Sequence, residues 1–240
     1  MPRITVKDVV KLMRGYGVYT GTGDIAPYRT AMVHRSYNTQ GSNERLEFLG
    51  DAVLNLAVAS YLFERFPDED EGFLTRMRSQ IVNGSTLADI CAKLSLNKFI
   101  LLSPAIEDKG GRTNDKIMED CLEAFIGAMF IATSYPVAAT WVAAVLERHV
   151  NVTSLVLSHT TPKDRLAKFC VHKFGSRPTY ITSVTNGVFT SSAEISDEVQ
   201  VGSGSAASRK EAETKAAEDA LQRLQVPVLS LNRESTPCSL

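Results

Sequence analysis

The sequence has few features of a secreted protein, of a disulfide-stabilised protein, or of a protein that coats nucleic acid with a uniformly basic surface. Its four cysteines in 240 residues form no CxxC pair, a pattern that fits a reducing compartment and neither a disulfide framework nor a zinc site. With 26 basic and 27 acidic residues the formal net charge is −1, so any nucleic-acid contact must come from a local patch. The first residues lack the apolar stretch of a signal peptide, and we expect a cytoplasmic protein.

A membrane span is not expected either, although one long segment carries no charge. Residues 124–146 are uncharged and long enough to cross a bilayer. Pro136 interrupts this segment and fits the first turn of a new helix, with Ser134 near its cap. We therefore predict two buried helices joined by a turn, and no membrane partner.

Two sets of acidic residues stand at helical spacing. Glu44, Glu47 and Asp51 are spaced i, i+3 and i+7, so a helix places their carboxylates on one face. Asp120 and Glu123 repeat the i, i+3 spacing before a strongly apolar segment. Like charges on one face repel each other, but a bound divalent cation makes the same arrangement favourable. Mg²⁺ is such a hard cation and prefers oxygen ligands. The pattern predicts a metal site between two helices; two solvated helix faces are the alternative.

Helical periodicity predominates from residue 6 to about 150, and the pattern changes after about residue 158. The later segments predict a helix over 162–174, strands over 179–184, 188–195 and 199–201, and a helix over 206–224. Asn186-Gly187 is a strong hairpin signal between the first two strands. We predict an all-α domain over 1–155, a small α+β domain of order α-β-β-β-α over 160–226, and a flexible tail over 227–240.

The first acidic run resembles the signature of ribonuclease III, the double-stranded-RNA endonuclease. The signature lies at Asn43 to Leu54, after His34-Arg35-Ser36-Tyr37 and before Gly110-Gly111-Arg112 in the family's order, and Asp120 to Ala128 matches the second acidic motif. The resemblance implies a nuclease domain that uses Mg²⁺, with Mn²⁺ as a substitute. It also implies 5′-phosphate and 3′-hydroxyl products, and a homodimer that leaves short 3′ overhangs.

The resemblance also implies roles for individual residues. The metal-binding carboxylates of the family match Glu47, Asp51, Asp120 and Glu123. Glu44 and Glu71 match acidic residues that line the same cleft and help with subunit contact or later steps. Lys116 matches a lysine of Dicer-like members, placed to neutralise the transition state; a plain surface lysine is the alternative.

The second domain resembles a double-stranded-RNA-binding domain through Gly202-x-Gly204 and Ser208-Arg209-Lys210-x-Ala212. Duplex phosphates require cationic contacts, and a helix N-terminus also attracts phosphate. The RNA-binding residues expected on its two helices are Lys163, Arg165, Lys168, Ser208, Arg209 and Lys210.

Two departures from this second family weaken the expected binding. Only Asn186-Gly187 joins the first two strands, where the family has a longer loop that often carries a His, and Ala167-Lys168 stands on the first helix where many members have a Gln-Glu pair. Glu213 stands at a position expected to be basic, a substitution that other members also show. Positions 160–225 hold nine basic and eight acidic residues, so the domain is nearly neutral. We expect weaker and less selective duplex binding from this domain alone.

The sequence therefore predicts an Mg²⁺-dependent endoribonuclease whose partners are double-stranded RNA and a second copy of the chain. One alternative is a duplex-binding protein that sequesters RNA without cutting it, and another is an interaction module with an inactive nuclease fold. The presence of all four acids argues against both. The trimmed binding loop suits a viral member, some of which suppress RNA silencing, and bacterial and eukaryotic sources stay open.

Overall fold

The computed structural model describes residues 3–159, 161–195 and 199–226, and the chain divides into two compact units between Val152 and Thr153. The first unit is helical and the second combines helices with an antiparallel sheet, which confirms the predicted fold class. The predicted domain limits at 155, 160 and 226 remain predictions. The flexible tail predicted over 227–240 lies outside the described residues.

The helices of the first unit follow the predicted periodicity. They are α1 Val6–Arg14, α2 Ala26–Ala31, α3 Glu44–Arg65, α4 Glu71–Ile81, α5 Gly84–Lys93, α6 Pro104–Glu107, α7 Asp115–Ala132 and α8 Tyr135–His149, and α9 Val152–His159 begins at the division. Short 3-10 turns at Leu96–Phe99 and Gly111–Thr113 complete this part of the chain. The core is aromatic and aliphatic, with Tyr28, Phe125 and Trp141 fully buried.

Helices α3 and α7 cross at two glycines, and this crossing positions the acidic residues. A Cβ atom on Gly50 would lie 1.8 Å from the carbonyl oxygen of Glu123, and one on Gly127 would lie 2.3 Å from that of Leu46. Since no side chain fits between the backbones, only glycine permits so close an approach. The acids one turn from each glycine therefore face one another across the crossing.

The uncharged segment over 124–146 consists of two helices, as predicted. Helix α7 ends at Ala132, Ser134 is at the N-cap position of α8, and Pro136 lies in its first turn. Among the described residues, Glu44–Arg65 alone is long and apolar enough by composition to cross a membrane. That helix is α3, which packs against α7 and α8, and a helix of a packed core passes the same test.

The second unit contains α10 Pro162–Phe174, β1 Thr179–Thr185, β2 Val188–Ile195, β3 Val199–Ala206 and α11 Arg209–Arg223. The strands form an antiparallel sheet in the order β1-β2-β3. Asn186 and Gly187 have φ angles of 52° and 77°, which is the conformation a two-residue hairpin requires.

Two boundaries in this unit differ from the prediction by more than one residue. Strand β3 continues to Ala206 because Gly202 and Gly204 pack directly on α11, where a Cβ on either glycine would lie 2.3 Å or 2.5 Å from the backbone of Ala216. Helix α11 consequently starts at Arg209, three residues later than predicted, with the Ser208 hydroxyl accepting the Glu211 N–H as its cap. The glycine motif thus fixes where the basic start of α11 lies against the sheet.

Candidate functional site

A cleft of about 860 Å³ lies beside the crossing of α3 and α7, and it gathers most of the predicted catalytic residues. Its lining includes Glu44, Glu47, Asp51, Lys116, Asp120 and Glu123. The cleft is therefore the one place in the described part of the first unit where acids from both motifs meet.

Three of these acids converge at one point. Ligand oxygens of Glu47, Asp120 and Glu123 all lie within 4.8 Å of one another, two helices contributing to one cluster. Glu123 is only 7% exposed, and the other two side chains are half-buried. Carboxylates this close together and this poorly solvated repel one another unless a proton or a cation joins them.

Burial and the neighbouring charges perturb the titration of this cluster. Burial, followed by the negative charges of Asp51 and Glu119, raises the pKa of Glu123 to about 8. Burial and then the charge of Asp120 also raise the pKa of Glu47. Without a cation, the cluster therefore holds a proton on Glu123 at neutral pH.

Lys116 is the cation nearest to this cluster. Its ammonium lies 2.8 Å from Asp120 Oδ1 and 3.3 Å from Glu119 Oε2. The contact with Asp120 is a charge-assisted ion pair, and Oδ1 is a buried oxygen with no other partner among the described residues. Together with the neighbouring carboxylates, this buried oxygen forms a set of ligand atoms that fits a hard divalent cation.

The remaining acids of the first motif have local partners on the cleft wall. Asp51 Oδ1 accepts a hydrogen bond of 2.8 Å from the Asn55 amide, and Asp51 does not belong to the three-acid cluster. Glu44 accepts a bond of 3.0 Å from the Ser42 hydroxyl and lies 3.7 Å from Arg35. Both side chains are exposed and line the cleft outside the three-acid cluster.

Glu71 does not reach the cleft within one chain. It accepts a hydrogen bond of 2.8 Å from the Thr75 hydroxyl and lines a separate cavity with Phe63 and Leu74. Conversely, four titratable residues that line the cleft were missing from the predicted site: His34, Arg35, Lys109 and Glu119. Glu119 had a visible signal, because it follows Lys116 at i+3 and precedes Asp120 directly.

The raised pKa of Glu123 predicts how stability depends on pH without metal. Between its unfolded value near 4.5 and its folded value of about 8, the folded chain binds more protons than the unfolded chain. The free energy of unfolding contributed by this group therefore falls as pH rises through that window. In EDTA, we expect the melting temperature to decline from pH 5.5 to pH 8, and Glu123→Gln to flatten the decline. An equal decline in both proteins would contradict the protonated state of Glu123.

The predicted RNA-binding residues occupy α10 and the start of α11. Lys163 Nζ lies 2.6 Å from Glu213 and 4.6 Å from the centroid of the Tyr180 ring. Arg209 pairs with Glu213 at 2.8 Å, and Lys210 is exposed. Arg165 and Lys168 are half-buried on α10, and burial lowers the pKa of Lys168.

The fold and the two sites define a class of protein: a helical nuclease domain with an acidic cluster, joined to a duplex-RNA-binding module. The sequence family described as Ribonuclease-III-like matches residues 25–149, and the double-stranded RNA binding motif matches residues 162–224. The chain belongs to the ribonuclease III family, the double-stranded-RNA endoribonucleases among the hydrolases.

Individual relatives agree with this assignment. Ribonuclease 3 of Campylobacter jejuni is 36% identical over 198 residues, covering 81% of this chain and 88% of its own. A putative protein of Paramecium bursaria Chlorella virus 1 is 32% identical over 211 residues, covering 85% of this chain and 75% of its own. The nuclease domain of the Campylobacter jejuni enzyme superposes with a TM-score of 0.55 at 37% identity, over 59% of this chain and 98% of that domain. That structure is described as flexible in a region involved in dimer formation.

Proposed function

We propose that this chain is an Mg²⁺-dependent endoribonuclease that hydrolyses both strands of double-stranded RNA, leaving 5′-phosphates, 3′-hydroxyls and short 3′ overhangs. The observation that carries the proposal is the convergence of Glu47, Asp120 and Glu123 within 4.8 Å at the bottom of a wide cleft. A sequestering protein has no use for three carboxylates forced together against their mutual repulsion.

The proposed metal ligands are Glu47, Asp120 and Glu123, with Asp51 on the adjoining wall as a fourth acid. When bound, Mg²⁺ activates water as the nucleophile and stabilises the charge that develops on phosphate oxygens. Mn²⁺ is expected to substitute because it accepts the same oxygen ligands. The protein supplies the fixed geometry, since the glycine crossing of α3 and α7 holds these carboxylates in place before any ion arrives.

Lys116 is proposed to carry positive charge to the reacting phosphate. Its ammonium already lies beside Asp120, and the two carboxylates near it raise its pKa, so it stays protonated. The side chain is 65% exposed towards the cleft, which leaves its remaining donors available to substrate. Glu44 is proposed to support the rim of the same cleft.

The second unit is proposed to bind the duplex through Lys163, Arg165, Lys168, Ser208, Arg209 and Lys210. Support comes from the start of α11, where two cations stand at a helix N-terminus that itself attracts phosphate. The Ser208 hydroxyl oxygen accepts the Glu211 N–H as the cap of α11, which leaves its own O–H free to donate to a phosphate.

The active form is proposed to be a symmetric homodimer. Phe48, Leu56 and Phe63 recur at helical intervals on α3 and are 83%, 55% and 71% exposed, forming an apolar stripe beside the acidic cleft. A two-fold axis along this stripe supplies two acidic clusters of opposite orientation, one for each RNA strand. Glu71 lies near Phe63, so its proposed role is in subunit contact.

The cytoplasm is the proposed compartment, supported by free, buried thiols at Cys91, Cys121 and Cys170. If the source is viral, short silencing duplexes are among the proposed substrates.

The proposed function is tested by incubating the purified chain with labelled long and short duplexes, and with single strands of the same sequence, in Mg²⁺, Ca²⁺ or EDTA. Duplex cleavage in Mg²⁺ alone is expected, with Ca²⁺ permitting binding without cutting because it is a larger ion with looser geometry. Binding without cleavage in Mg²⁺ would instead identify a sequestering protein.

A further inference from the structure

One carboxylate in the second unit holds two of the cations proposed to bind RNA. Glu213 Oε2 accepts a hydrogen bond of 2.6 Å from Lys163 Nζ, and Oε1 accepts one of 2.8 Å from Arg209 Nε. The Glu213 side chain is 13% exposed, whereas that of Arg209 is 68% exposed. The two hydrogen bonds hold the pKa of Glu213 below its ordinary value, so the carboxylate is charged at neutral pH. Glu213 therefore joins α10 to α11 at the face where the duplex is proposed to bind.

The surroundings of Lys163 leave it little freedom to meet a phosphate. Its ammonium has the Glu213 carboxylate on one side and the face of the Tyr180 ring on another, 4.6 Å from the ring centroid. Both contacts stabilise a cation and occupy directions from which a phosphate oxygen would approach. A phosphate at this position also meets the negative charge of Glu213 itself.

The same neutralisation recurs along α11. Lys215 pairs with Glu211 at 3.3 Å, and Arg223 pairs with Asp219 at 2.9 Å. Of the α11 cations, Lys210 alone has no ion pair among the described residues. Lys210 is exposed in the first turn, so it is the α11 cation best placed to contact a phosphate and release the salt ions around it.

We infer that Glu213 sets the affinity of this module for duplex RNA by withholding Lys163 and Arg209 from the phosphates, leaving Lys210 as the phosphate contact of α11. The inference rests on the proposed RNA-binding role of this face. It predicts a gain of function: removing the Glu213 charge frees two cations and strengthens binding. The competing interpretation, in which Glu213 holds the two cations in position for RNA, predicts a loss.

The experiment measures binding of the full chain to a duplex of about 16 base pairs, the length one such motif spans, in Ca²⁺ across a range of salt concentrations. Glu213→Gln is compared with Glu218→Gln, which removes the same charge from an exposed position of α11 that has no ion pair within the described part of the chain. Each freed cation should steepen the slope of log affinity against log salt by about one unit. We expect a slope steeper by about one to two units for Glu213→Gln, and no change for Glu218→Gln.

Two substitutions in the otherwise unaltered chain test the inference without depending on how well Glu213→Gln folds. Lys210→Ala should flatten the salt slope by about one unit, and Lys163→Met by less than about half a unit. In the Glu213→Gln background, Lys163→Met should remove about one unit, so the two substitutions are not additive. Melting temperatures of all variants report whether the α10–α11 contact survives.

The outcomes separate this inference from the proposed function. A weaker or unchanged affinity in a folded Glu213→Gln protein, beside a normal response to Lys210→Ala, would overturn the inference alone. A salt slope that is flatter by a full unit after Lys163→Met in the otherwise unaltered chain would overturn the inference as well. If neither Lys210→Ala nor salt affects binding, the assignment of this face as the duplex-binding surface is wrong, and the inference fails with it.

Discussion

Glu123→Gln is expected to abolish duplex cleavage while leaving duplex binding largely intact. Glu123 is the most buried acid of the three-carboxylate cluster, and glutamine keeps its shape but removes the charge that a divalent cation requires. Loss of a hydrogen-bond partner behind a metal ligand already costs up to about 100-fold, so loss of a ligand should cost more. Cleavage rate and gel-shift affinity, measured on the same preparation with Mg²⁺ and Ca²⁺ respectively, give the two quantities.

Asp115→Asn is the matched control for this experiment. Asp115 lies on the same helix α7, is exposed, and does not line the cleft, so its loss should leave the cleavage rate near that of the parent. Residual cleavage by Glu123→Gln above about a tenth of the parent rate would be too much for a protein without this ligand. That result would remove Glu123 from the metal site.

Phe48→Asp is expected to convert a dimer into a monomer and to abolish concerted cutting of both strands. Phe48 is 83% exposed, and burying an aromatic ring of this size in an interface removes much apolar surface from water. An aspartate there brings a charge into that interface and repels its own symmetry copy. Light scattering gives the mass, and mapping of the product ends shows whether the double-strand stagger persists.

Tyr19→Asp supplies the comparison for Phe48, because Tyr19 is a 74% exposed aromatic residue that lies outside α3. It should leave both the mass and the product ends unchanged. A Phe48→Asp monomer that still makes staggered double-strand cuts at low enzyme concentration would refute the two-fold model. The catalytic assignment of the three acids would be unaffected by that outcome.

Much of the fold was predictable because its signals are local. The i, i+3 spacing placed acids on one face of each helix, and the hairpin at Asn186-Gly187 followed from the positive φ angles that these residues tolerate. The spacing also predicted a metal site between the two acidic helix faces, but it did not show which contacts bring Glu47 and Asp120 together. In the structure their convergence depends on Gly50 and Gly127, whose missing side chains let α3 and α7 meet.

Most of the features that the sequence did not predict depend on tertiary contacts. Glu119 is the exception, because its contact with Lys116 is a local i, i+3 pair on α7, whereas the separation of Glu71 from the cleft depends on how α4 packs against α3. Glu213 was predicted only as a departure from a basic position. Its contact with Lys163 depends on how α10 packs against α11, so the neutralised phosphate face becomes visible only in the structure.

The most direct test of the central claim is a Mn²⁺ titration followed by electron paramagnetic resonance, on the wild-type chain and on Glu123→Gln. The claim is that the cluster of Glu47, Asp120 and Glu123 holds the ion that supports cleavage. We predict that binding by the wild type reaches half-saturation at the Mn²⁺ concentration that gives half-maximal duplex cleavage, and that this binding is lost in Glu123→Gln. Equal Mn²⁺ binding by the two proteins, or cleavage that proceeds in EDTA, would contradict the claim.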